Sequence, residues 1–115
     1  MTLTKYKFNT YDELMAHAKE FTPDIVQNNM FYPKLSDYAK VLLSLIYVRY
    51  NINIKNDVFD SQGHYIYLSH MDASEIMGVA SNKIGGYFDE LTQYAFIKEP
   101  VKFGSRKKIY VHFTL

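Results

Sequence analysis

Ser81, Asn82 and Lys83 set a hydroxyl, a carboxamide and an ammonium side by side, and Lys102, Arg106, Lys107 and Lys108 gather cations near the far end of the chain. Such groups grip polyanions and do not break bonds. A carboxamide offers the donor and acceptor that an adenine edge requires, and a lysine reaches guanine acceptors or phosphate oxygens. At the start of a helix, free N–H groups and the positive dipole end would add to that grip. Gly85 and Gly86 follow at once. They are expected either to let DNA or a partner helix approach bare backbone, or to let two helices cross tightly. For the terminal cations the plainer alternative is a solvated hairpin whose lysines discourage edge pairing.

Groups suited to catalysis are scattered. His17, His64, His70 and His112 show no metal-ligand spacing, and Asp12-Glu13, Asp57, Asp60 and Asp89-Glu90 read as helix-face and turn residues. No phosphate-cradling, dinucleotide-binding or nucleophile-elbow motif occurs. With no cysteine, disulfides, thiolate nucleophiles and cysteine zinc sites are excluded, which suits a reducing cytosol. No catalytic residue, cofactor or metal is expected.

The 115 residues fit one domain, and 48% apolar content can fill its core without a staple. Net charge is only +1, yet from Lys98 onward five cations face one acid, Glu99. The run Val41–Val48 is too short for the ~20 residues of a membrane span, and the N-terminus lacks a signal peptide's apolar core. A cytoplasmic protein is the default. The 17% aromatic content could stack unpaired bases, but a core without tryptophan or cysteine is expected to absorb most of it.

These side chains need elements to hold them. A first helix is expected from Tyr11 to Phe21, capped by Thr10 with Glu13 in a capping box, and Thr22-Pro23 reads as cap and first position of a short turn. The next helix runs from Ser36 or Asp37 to Tyr50, with Ala39, Leu42, Leu43, Ile46, Tyr47 and Tyr50 on one wide stripe. Asn51 to Asp57 is less regular. Asp60-Ser-Gln-Gly63 is a turn between Val58-Phe59 and the alternating His64–Leu68. Ser69 caps a helix from His70 to Met77, Gly78 takes the left-handed position, and Ser81 caps a helix from Asn82 to about Tyr94. Phe96–Glu99 starts a strand, Gly104-Ser105 is a turn, and Lys107–Phe113 alternates. Short helix, glycine turn, amphipathic helix and basic hairpin make an α+β winged helix-turn-helix. Residues 1–28 form a helical extension and 29–115 the core of a single domain.

The segments Asn29-Met-Phe-Tyr-Pro-Lys34, Leu35-Ser-Asp-Tyr-Ala-Lys-Val-Leu-Leu-Ser-Leu-Ile-Tyr47 and Asp60-Ser-Gln-Gly-His-Tyr-Ile-Tyr67 resemble the N-terminal domain of RepA-type plasmid replication initiators of low-GC Gram-positive bacteria. So do Ser81-Asn-Lys83, Glu90-Leu91 and Phe96-Ile97. The order of these segments carries the resemblance more than any one of them. Phe31-Tyr32 stands closer to Pro33-Lys34 than in the family pattern, and the wing lacks the family's frequent Gly-x-Asn-x-Pro stretch. The resemblance implies a winged-helix domain that binds repeated double-stranded origin sites, commonly as a homodimer. Ser81, Asn82 and Lys83 would touch bases or phosphate, and Arg106, Lys107 and Lys108 the backbone. The family's linker and C-terminal domain, which engage host replication proteins, lie beyond the resembling stretch.

The expectation is therefore sequence-selective duplex DNA binding in replication initiation, through Ser81, Asn82, Lys83, Gly86, Lys102, Arg106, Lys107 and Lys108. A transcriptional regulator or accessory protein of a mobile element stays open, as does a winged-helix module that binds protein.

Overall fold

The computed structural model describes residues 22–113; the helix expected over Tyr11 to Phe21 lies outside them. Pro23 precedes one helical turn, α1 (Asp24–Gln27), and a 3-10 turn follows at Tyr32–Lys34. Thr22 does not cap α1. Its Oγ1 donates instead to Ser44 Oγ at 3.2 Å, so two buried hydroxyls satisfy each other. Val26 of α1 is fully buried in the main core.

The next helix, α2 (Asp37–Lys55), opens at Ser36, whose Oγ accepts the Ala39 N–H. Every residue from Val41 to Val48 is buried, so α2 runs through the middle of the molecule and not along its surface. It also passes the expected end at Tyr50. Asn51 Nδ2 donates to the Tyr47 carbonyl at 3.0 Å, and Asn53 Nδ2 to the Tyr65 carbonyl at 2.6 Å. Those bonds outweigh asparagine's modest helix penalty. The end is a Schellman motif: Asp57 is left-handed at φ 55°, and the Val58 N–H reaches the Asn53 carbonyl.

A small hairpin follows, β1 (Phe59–Asp60) with β2 (Gly63–His64). The chain changes partner at Tyr65, so the expected strand from His64 to Leu68 is split and β3 (Ile66–Ser69) joins a different sheet. Helices α3 (His70–Met77) and α4 (Ser81–Gln93) come next, then strands β4 (Val101–Phe103) and β5 (Arg106–Ile109). The antiparallel sheet has the order β3-β5-β4. Phe96 and Ile97 do not start β4. They are buried plugs, and Ile97 makes a single bridge to Val111. Pro100, with no N–H to give, stands between them and the strand.

The core lies where α2 meets the inner face of the sheet and the α3–α4 pair. Ile66, Leu68 and Ile109 come from the sheet, Ala73, Met77, Ile84, Phe88 and Leu91 from the helices. The arrangement is a winged helix-turn-helix in an α+β domain. Among the described residues, no helix is long and apolar enough to cross a membrane.

Candidate nucleic-acid interface

Ser69 Oγ accepts the Asp72 N–H at 3.0 Å and starts α3, and Gly78 ends it in the left-handed conformation at φ 70°. Ala73, Met77 and Ile84 weld α3 to α4. Helix α4 differs from α2 and α3 in its opening. Ser81 is its first helical residue and not its cap, because extended Ala80 already offers its carbonyl to the Lys83 N–H at 3.0 Å. Among the described residues no side chain caps α4. The first-turn N–H groups therefore face outward without a side-chain acceptor, as an anion site requires.

Ile84, Phe88 and Leu91 anchor α4, which turns Ser81, Asn82, Lys83, Gly86 and Asp89 to solvent. Packing does not demand the glycine pair. A Cβ on Gly85 would meet His70 Cε1 at an ordinary 3.6 Å, and one on Gly86 would meet nothing within 4 Å. The tight crossing is thus absent among the described residues, and Gly86 leaves bare backbone on the outward face.

The wing is two-faced. Lys107 pairs with Leu68 and with Lys102, on the side of the sheet that looks toward α4. Its Nζ stands 5.3 Å from the centre of the Phe88 ring. Arg106 and Lys108 occupy the opposite face, as alternation requires. Lys108 is held there: its Nζ lies 2.5 Å from Asp60 Oδ2 and 4.1 Å from the Tyr65 ring centre. The Tyr110 hydroxyl donates to the same carboxylate oxygen. Hydrogen bonds from Lys108 and then Tyr110 hold Asp60 down at about 2. Hence Lys107 leans over Phe88 of α4 with Lys102 paired beside it, Ser81, Asn82, Lys83 and Gly86 stand exposed on that same helix, and Arg106 and Lys108 lie on the opposite face of the sheet.

Two positioning residues escaped the sequence reading. His70 stacks on Phe88 at 5.5 Å and 19° and so joins α3, α4 and the wing root. Its Nε2 is buried without a hydrogen-bond partner among the described residues; burial first, then nearby Lys107, keeps its proton affinity below the usual histidine range. Glu90 accepts both the N–H and the hydroxyl of Ser36 at 2.8 Å, fastening α4 to the start of α2. No local motif announces either, since each contact spans distant segments. Among the described residues no group of histidines and acids could hold a metal ion.

Three solved structures share this fold. One described as the N-terminal domain of a DNA-binding protein is 20% identical, with a TM-score of 0.63 over 96% of this chain and 86% of that one. A Rep–DNA complex is 20% identical, with a TM-score of 0.62 over 88% of this chain and 82% of the other. A structure described as an MDR initiator is 23% identical, with a TM-score of 0.63 over 95% and 88%. No curated protein matches the sequence at a significant level. Residues 21–114 match the family described as replication initiator protein A (RepA) N-terminus, and the chain belongs to that family.

Proposed function

We propose that this domain binds duplex DNA sequence-selectively at the repeated origin sites of a plasmid and serves there as the recognition part of a replication initiator. One observation carries the reading: among the described residues no side chain caps the first turn of α4, which leaves Ser81, Asn82, Lys83 and Gly86 exposed, and the wing lysine Lys107 leans on Phe88 of the same helix with Lys102 paired beside it. The α4 start enters the major groove, Asn82 and Lys83 meet base edges, and the wing lysines meet the backbone. Family membership and the shared fold of a Rep protein solved in complex with DNA support it. The domain acts on repeated sites as a homodimer, works in the cytoplasm, and has no catalytic role of its own.

The test is fluorescence anisotropy with duplexes selected from a random pool, at two salt concentrations. Asn82→Ala is expected to cost about 1–3 kcal/mol and to relax the preference at one base position. Lys107→Ala is expected to weaken all duplexes alike and to lower the salt slope by about one. Unchanged affinity in both variants refutes the interface. Sedimentation with and without a double site checks the dimer, and a footprint at a promoter in place of an origin would reassign the domain to transcription.

A further inference from the structure

We propose that the outer face of the β3-β5-β4 sheet is a second nucleic-acid site, one that stacks the unpaired bases of single-stranded DNA. The register builds this face in rows: Phe103 beside Arg106 and Ser69, then Val101 beside Lys108 and Tyr67, with Tyr110 and Tyr65 beyond. Ile66, Leu68 and Ile109 already fill the core side, so nothing in the packing asks for aromatic residues on the solvent side. Yet Phe103 is 55% exposed and Val101 52%. The rings form a continuous path. Tyr67 lies 5.3 Å from Tyr65 and 5.5 Å from Phe103, centre to centre.

Charge selects the occupant. Arg106 sets its guanidinium carbon 4.3 Å over the Tyr67 ring, Lys108 lies over Tyr65, and Lys98 Nζ stands 5.6 Å from the Tyr110 centre. Asp60, the carboxylate that reaches into this face, is neutralised by Lys108. Phe103 is the exposed ring of this path, Tyr65 and Tyr67 are half-buried, and Tyr110 is buried. A base stacks on Phe103 and on the outer plane of the Arg106 guanidinium, while phosphates meet Arg106 and Lys98, without any reading of base edges. A second copy docked face to face would set Arg106 and Lys98 against like charges. A duplex buries its base faces and cannot use the rings. The site lies on the opposite face of the sheet from Lys102 and Lys107, and it does not rest on the duplex reading.

The experiment uses the full chain, a short labelled oligothymidine and a labelled duplex, both at low salt. Phe103→Leu keeps apolar bulk and removes the ring. It is expected to weaken oligothymidine binding about tenfold and to leave duplex binding unchanged, whereas Phe103→Tyr retains both. Lys83→Ala should show the reverse pattern, so failure of one site is distinguishable from failure of the other. Circular dichroism confirms that the variants fold. Equal oligothymidine affinity in wild type and Phe103→Leu overturns the proposal. So does an absence of oligothymidine binding accompanied by self-association that Phe103→Asp abolishes, which gives the face to a second copy. Tighter binding of oligouridine than of oligothymidine overturns the assignment to DNA.

Discussion

Gly86 stands on the outward side of α4 with open space where a Cβ would project. A glycine within a helix costs roughly 1 kcal/mol relative to alanine, and among the described residues no contact offsets that cost here. Gly86→Ala is therefore expected to raise the unfolding free energy by about 1 kcal/mol in urea while weakening duplex binding, because the methyl group intrudes on a close approach. A stabilised variant with unchanged affinity would remove Gly86 from the contact surface. His70 gives a second expectation. Its folded proton affinity is lowered by burial and by Lys107, so below pH about 6.5 the unfolded chain takes up a proton that the folded chain resists. The contribution is intact above that pH and lost as the solution is acidified. The thermal midpoint should fall between pH 7 and 5, and His70→Phe, which keeps the stacking on Phe88, should flatten that slope. Asp60 acts at lower pH. Its value of about 2 lies below the ordinary 3.8, so its contribution is present above pH about 4 and is lost as pH falls through 2. An Asp60→Asn variant should show less loss across that interval.

At the scale of elements, one carboxylate fastens α4 to the start of α2, beside the packed core that the two helices share. Glu90→Ala leaves the Ser36 N–H and hydroxyl without their acceptor and should lower stability by about 1 kcal/mol in urea, as loss of an exposed cap does. Glu90→Gln keeps an acceptor and should recover part of it. Features fixed by neighbours in the chain were legible from the sequence: the Ser36 and Ser69 caps, Gly78 at φ 70°, the buried spacing of Ile84, Phe88 and Leu91. Features fixed by distant partners were not. Asn53 extends α2 because Tyr65 waits for its amide, and α4 ends on Ala95, a non-glycine at φ 60°, because the Phe96 N–H reaches the Leu91 carbonyl. The same division runs through the interface. Helical period placed Asn82 and Lys83 outward, whereas the run Arg106-Lys107-Lys108 looked like a single patch. Strand alternation sends its middle member to the other face, and Asp60, remote in sequence, claims Lys108.

The whole molecule is organised around α2, which is buried through Val41–Val48 and is closed over by sheet, helix pair and C-terminal residues. The Tyr47 hydroxyl donates to the Phe113 carbonyl at 2.8 Å, tying the middle of α2 to the chain beyond the wing. The wing is thus structural as well as exposed. Deleting residues 98–115 strips Ile109 and Val111 from the core, and core truncations of single aliphatic side chains alone cost about 2–5 kcal/mol. The deletion variant is expected to lose its cooperative urea transition, and a retained transition would show that α2 and the helix pair stand without the ribbon.

The strand order has a further meaning for synthesis. The middle strand of the sheet, β5, is the last to be translated, while β3 emerges before either partner exists. A nascent chain on the ribosome must therefore carry the backbone N–H and C=O groups of β3 unpaired until nearly the whole segment has left the exit tunnel. Folding is then expected to begin late and all at once, and chaperone capture should concentrate on chains stalled between β3 and β5.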